Sequence, residues 1–140
     1  MALTMALTLV RMGGRACALP CESVVEVVPR VKLGGLPDAP HQVLGVINLR
    51  GRVVTVFDLR ARLSGCAPAA LAPYQHLVIV NAGGRQLGLA VDEVSDVRNV
   101  DPSSVERPSD VLGRGGAGIV RIDQELVLVV SPEDVLHAVG

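Results

Sequence analysis

The chain has 140 residues, a formal net charge of −1 and a hydrophobic share of 49%. That length supports one domain with a core, or two small units sharing one, and that hydrophobic share excludes general disorder. The near-zero charge, with one Tyr, one Phe and no Trp, argues against a basic, aromatic nucleic-acid surface and against attraction to an anionic membrane.

The first ten residues, MALTMALTLV, are apolar but meet Arg11 too soon to span a bilayer. They also lack the basic start and long apolar run of a secretory leader. They predict a short strand with a frayed end, about Leu7 to Met12, and no direct membrane insertion. Gly13 and Gly14 then predict a tight turn into a second strand, about Arg15 to Leu19. Val24, Val27 and Val28 follow, a spacing read as one or two turns of helix. A loop with Pro29, Pro37 and Pro40 leads to a hairpin with arms Val43–Leu49 and Val53–Phe57 and Gly51 in its turn. Alternation in the arms is incomplete, as in strands covered on both faces. Asp58 is placed to cap a short helix, Leu59 to Leu63.

Ser64 to Pro73, rich in Ala, Pro and Gly, reads as a linker, and with the residues up to His76 it joins halves 7–63 and 77–139 of a single domain, 1–140. Asp101 to Gly118 reads as irregular. Ser131 as cap, Pro132 at the first helical position and acidic Glu133 and Asp134 predict a last helix, Pro132 to about Ala138, with Val135 and Val139 on one face.

The halves repeat one another. Leu7–Val28 lies over Leu77–Arg98 without a gap, placing Gly13-Gly14-Arg15 on Gly83-Gly84-Arg85 and Glu22 and Glu26 on Asp92 and Asp96. Gly45–Leu63 lies over Gly118–Leu136, also without a gap. Short strands with hairpins argue for an all-β fold with peripheral helices, and each half is too small to stand well alone.

No reaction centre is legible. Ser23, Ser95, Ser103, Ser104, Ser109 and Ser131 sit in no nucleophile-elbow motif. His41, His76 and His137 are scattered and read as surface or edge residues. Cys17, Cys21 and Cys66 are odd in number and form no CxxC, so they read as reduced thiols. The GRGGAG run, Gly113 to Gly118, lacks the Lys and Ser/Thr of a phosphate cradle. Asp92, Glu93 and Asp96 lack calcium-loop spacing, and Asp92 and Asp96 read as a solvated face. Binding is left. Arg50 and Arg52 flank Gly51 between two apolar strands. Arg52 is expected to face water. Arg50 either does the same or folds back on Glu22 or Glu26, where its fork of donors could hold a carboxylate.

At this point the sequence resembles a known family. LGVINLRGRVVTVFDLR, Leu44 to Arg60, resembles the core motif of the CheW-like chemotaxis coupling proteins, and LPCESVVEVV (Leu19–Val28) and LGLAVDEVSDV (Leu87–Val97) resemble two further family segments in the same order. The resemblance covers Leu7 to Val139. It implies two SH3-like five-stranded β-barrel subdomains around a shared core. It also implies a non-enzymatic adaptor, without cofactor, that joins the regulatory domain of a CheA-type histidine kinase to the cytoplasmic tip of a methyl-accepting chemoreceptor, in arrays at the inner membrane. Carried over by position, Val24 and Glu26 match partner-contact positions, Arg50 matches the Arg linked to receptor coupling, and Asn48 and Gly51 match residues that shape its turn. Asp58 matches the family's acidic residue after the second hairpin strand. Ser131 stands where similar chains carry Asp, and the aromatic they usually have near Cys17 is missing. Two other readings stay open: a non-enzymatic regulatory subunit of a non-flagellar kinase pathway, and a small nucleic-acid-binding barrel, which the composition disfavours.

Overall fold

The computed structural model describes residues 3–12, 14–35, 43–64, 73–107, 116–133 and 135. Pro37, Pro40, His41, most of the linker with Cys66, Gly113–Gly115 and the end of the last predicted helix with His137 lie outside them.

A hairpin of β1 (Met5–Met12) and β2 (Arg15–Pro20) leads through a 3-10 turn, Cys21–Ser23, into β3 (Val24–Pro29). The hairpin of β4 (Val43–Leu49) and β5 (Arg52–Asp58) runs directly into α1 (Leu59–Ser64). Next come β6 (His76–Ala82), β7 (Arg85–Val91) and β8 (Glu93–Val100), a 3-10 turn at Pro102–Ser104, then β9 (Gly116–Ile122) and β10 (Glu125–Val130). Pro132, Glu133 and Val135 have helical backbone. The segment expected as helical turns around Val24 to Val28 is strand β3. Its Val24, Val27 and Val28 fit helical spacing, but five of its six residues are β-branched or Pro, and it pairs along β6.

The strands form two five-stranded mixed sheets. The first has the order β8-β1-β2-β10-β9 and the second β3-β6-β7-β5-β4. In each, one parallel pair, β2 with β10 and β5 with β7, joins antiparallel neighbours. The second sheet is built from consecutive strands, whereas the first combines the opening hairpin with the last three strands.

The repeat holds down to the register. Thr8 faces Val97 across β1 and β8, and the overlaid residues, Val78 and Val27, face each other across β6 and β3. Leu128 opposite Cys17 has its counterpart in Thr55 opposite Leu87. The irregularities repeat too, between Thr8 and Val10 in one sheet and between Val24 and Glu26 in the other.

The expected barrels do not form. Closure would require a ladder between β8 and β9, and another between β3 and β4, and neither sheet has one. Each gap is crossed by one isolated bridge, Glu106 to Ile119 and Gly34 to Val46. The chain breaks step before either edge: β3 ends at Pro29, which has no N–H to give, and β8 ends at Val100, just before Asp101, whose carboxylate takes the Ser103 N–H at 2.9 Å and starts a turn. At the two bridges the backbones approach so closely that a Cβ on Gly45 would strike the Gly34 carbonyl oxygen, and one on Gly118 would strike Val105. The overlay of Gly45 on Gly118 thus marks a shared steric requirement.

Both faces of the central strands are covered, which accounts for the incomplete alternation. Leu7, Val120 and Val127 fill a cluster inside the first sheet, and their counterparts Leu77, Ile47 and Val54 fill one inside the second. Between the sheets lies a shared cluster with Val10, Cys17 and Leu19 from one side and Val80, Leu87 and Leu89 from the other. Leu59 of α1 joins it. Burial raises the Cys17 thiol to about 12, so at neutral pH it is an inert core group.

Candidate functional site

The β4–β5 hairpin turns through Arg50 and Gly51, with φ of 52° and 83°. Positive φ at both central residues is the mark of a type I′ turn, whose twist matches that of the flanking strands. Arg50 is an uncommon residue for that conformation. Asn48 holds it there, its Oδ1 accepting the Gly51 N–H at 2.9 Å. The Arg50 guanidinium then reaches β3 and grips Glu26 with two parallel bonds, Nη1 to Oε1 and Nη2 to Oε2, the latter 3.0 Å long. Of the placements open from sequence, Arg50 folds back on Glu26, while Arg52 is exposed. The bonds from Arg50 hold the Glu26 carboxyl below its ordinary range, and Glu26 in turn raises the Arg50 guanidinium. Because β3 and β4 are opposite edges of one sheet, the pair latches that sheet across its opening.

Glu26, Asn48, Arg50 and Gly51 therefore come together in one corner. Val24 does not join their exposed side: it is half-buried and packs against the central cluster. Its neighbours supply what it does not. Val25, Val27, Pro29 and Val31 are all exposed, at two-residue spacing. Arg30 and Lys32, both exposed, flank Val31, and Arg50 remains 72% exposed beside Glu26. The result is an apolar row whose end carries two exposed cations, Arg30 and Lys32, with Arg50 held on Glu26 at the alternate positions of the same strand. The overlaid row on β8 and the turn after it is Ser95, Val97, Asn99 and Asp101, largely polar. Sequence reasoning missed the β3 row because Val24, Val27 and Val28 were counted as one helical face. The two-residue spacing of Val25, Val27 and Val31 was the signal that could have found it.

A second polar group was also missed. Asp58 caps α1 as expected, its Oδ1 accepting the backbone N–H groups of Arg60 at 3.0 Å and Ala61 at 3.3 Å. It also holds the Arg60 side chain, Nε to Oδ1 at 3.0 Å and Nη2 to Oδ2 at 2.9 Å. Arg60 Nη1 donates to Asp92 Oδ1 at 2.9 Å. The Arg60 and Asp58 side chains are only 9% and 1% exposed. Asp92, expected on a solvated face, is instead half-buried and ion-paired. Nothing in its spacing connects it to an Arg 32 residues away.

Among the described residues, no three His, Cys, Asp or Glu side chains are grouped so as to hold a metal ion. Nor, among them, is any helix long and apolar enough to cross a membrane. The arrangement offers shaped surface and a paired Arg.

Comparison with known proteins gives a consistent result. The profile of the CheW-like domain family matches residues 6–140. The probable chemotaxis protein CheW of Rhizobium etli is 32% identical over 127 residues, spanning 88% of this chain and 81% of that protein. The chemotaxis protein CheW of Rhizobium meliloti is 32% identical over 130 residues, spanning 89% and 83%. The crystal structure of the scaffolding protein TtCheW from Thermoanaerobacter tengcongensis superposes with a TM-score of 0.84 at 25% identity, covering 96% of this chain and 89% of that one.

Proposed function

The chain belongs to the CheW-like family, non-catalytic scaffolds that link chemoreceptors to CheA-type kinases, and from that premise we propose that the β3 row and the Arg50 corner form its receptor-facing surface. The receptor segment is the cytoplasmic hairpin tip of a methyl-accepting chemoreceptor. The kinase segment is the regulatory domain of a CheA-type histidine kinase, held on a separate face. The protein works in the cytoplasm, at receptor arrays on the inner membrane.

One observation carries this reading. The repeat supplies two structurally equivalent rows, and only the β3 row is apolar with cations beside it. Since the β8 row folds the same way with largely polar side chains, the exposed valines of the β3 row, Val25, Val27 and Val31, are not needed for the fold. Exposed apolar residues without a folding role mark a contact surface. Val24, Glu26, Asn48, Arg50 and Gly51 serve it at two levels. Asn48 and Gly51 shape the turn, Glu26 orients Arg50, and Val24 anchors β3 beneath the row.

Pull-down with two baits tests this: a receptor-tip fragment and a kinase regulatory domain. Arg50→Ala is expected to weaken capture by the receptor tip by about tenfold, on the order of 1.4 kcal/mol. Capture by the kinase domain and the melting temperature should change little. A large fall in melting temperature would make Arg50 a structural clamp, and equal loss to both baits would remove the receptor assignment. Steeply salt-dependent binding to nucleic acid would favour the rival reading.

A further inference from the structure

Among the described residues, the chain passes between the sheets at two places, Cys21–Ser23 from β2 to β3 and Asp92 from β7 to β8. These are equivalent points of the repeat, with Glu22 overlying Asp92. They are held very differently. At the second passage the Asp92 N–H donates to the Arg11 carbonyl of β1 at 3.0 Å. The Asp92 carboxylate takes Arg60 Nη1 at 2.9 Å, and its carbonyl oxygen lies 3.4 Å from His76 Nδ1 at the start of β6. Arg60 is itself fixed by Asp58 at the end of β5. One residue thus ties the passage to β1, β6, α1 and, through Arg60, β5.

At the first passage Glu22 is exposed and, among the described residues, has no side-chain hydrogen bond or ion pair. Its 3-10 turn has no side-chain cap. The side-chain contact there is Cys21 Sγ to Thr8 Oγ1 at 3.2 Å, a weak thiol–hydroxyl bond. Between the passages the sheets meet through apolar side chains, whose attraction is non-directional and tolerates small sliding. Charge-assisted bonds fixed on several elements do not.

We propose that Asp92, acting through Arg60, is a positioning residue that makes the β7–β8 passage the fixed pivot between the two sheets, and that reorientation of one sheet on the other is taken up in the Cys21–Ser23 turn. A scaffold with a partner on each of two surfaces gains from this a defined path of movement. The proposal uses the two-partner reading only for that purpose; the joint itself stands on the geometry.

Amide hydrogen exchange followed by NMR on the full chain tests it, with rates corrected for intrinsic chemistry. In the wild type, amides of Cys21 to Val24 are expected to exchange about tenfold or more faster than those of Asp92 to Val94. Asp92→Ala should bring the second group up to the rate of the first, leaving protection elsewhere in the sheets unchanged. Asp92→Asn keeps an acceptor for Arg60 and should restore most of the difference. Equal rates in the wild type would overturn the proposal, as would unchanged rates at 92–94 in Asp92→Ala. Loss of protection throughout both sheets would also overturn it, since Asp92 would then support overall stability and not a joint.

Discussion

In the second sheet the latch across the opening places an acid on the edge strand and a base at the hairpin tip, Glu26 with Arg50. In the first sheet the charges are exchanged: Arg98 of β8 donates to Asp123 at the β9–β10 tip, with bonds of 2.8 and 2.7 Å. Asp123 overlies Arg50, shares its positive φ and is almost as exposed, at 70% against 72%. Both open sheets thus join their edges by a bidentate ion pair, with opposite polarity. A feature present in both halves goes with the repeat and not with one partner, so the Glu26–Arg50 pair on its own does not mark a docking site. The features present in one half only are more informative: the apolar row on β3 and the buried Asp58–Arg60–Asp92 group. At the positions overlying Asp58, Arg60 and Asp92 the other half has Ser131, Glu133 and Glu22.

The largest test of this contrast is Arg60→Met, which leaves the buried Asp58 carboxylate without its cation. Removing one partner of a buried pair costs about 3–5 kcal/mol, read as a lower denaturant midpoint. Exposed Glu133→Ala, at the overlying position, should change the midpoint by less than about 0.5 kcal/mol. Comparable effects at both positions would erase the distinction. Next in size are the two glycines at the bridges. Gly45→Ala is expected to cost about 1–3 kcal/mol by overpacking. Gly118→Ala should cost less: its nearest obstacle is the Val105 side chain at 2.4 Å, with the Glu106 carbonyl oxygen at 2.9 Å, whereas at Gly45 a backbone oxygen lies at 2.3 Å and φ is +153°.

These positions also show what was legible beforehand. The two ungapped overlays carried the pairing register of both sheets, because equal spacing of apolar residues and glycines forces equal geometry. They could not show which sheet a strand joins. Alternation reports which face of a strand is buried and is silent on its hydrogen-bonded neighbour, so the exchange of strands between the halves and the unclosed edges stayed hidden. Asn48, Arg50 and Gly51 were legible as a turn because they are adjacent in sequence. Glu26 was one of two acids open to Arg50, with Glu22, and distance along the chain could not choose between them. Asp92 stayed hidden because its partner comes from another element.

The remaining tests are smaller. Val27→Ser on β3 should weaken receptor-tip binding by about tenfold, near 1.4 kcal/mol, whereas Val97→Ser at the overlying place on β8 should leave it unchanged. Isothermal titration against a receptor-tip fragment reads both. The smallest effect concerns pH. Glu26 and Asp123 are both held below their ordinary values by the Arg each one faces. A lowered folded-state value means the unfolded chain binds protons first as pH falls. The latch contribution is therefore complete above the ordinary carboxylate range and is lost as pH drops through it towards the lowered values. Glu26→Gln and Asp123→Asn should each lower neutral stability slightly and flatten the acid limb of the stability profile by the same small amount, so that variant and wild type converge at low pH.

The second sheet occupies one unbroken run of the chain, Val24 to Val91, while the first waits on strands that come last. During synthesis, then, the middle of the protein can complete its hydrogen bonding while the opening hairpin still has both flanks bare. Until β8 and β10 emerge from the ribosome, β1 and β2 present open edges to any passing strand. The vulnerable interval opens once β2 has been made and lasts through the synthesis of the whole second sheet, until β8 and β10 pair with the hairpin.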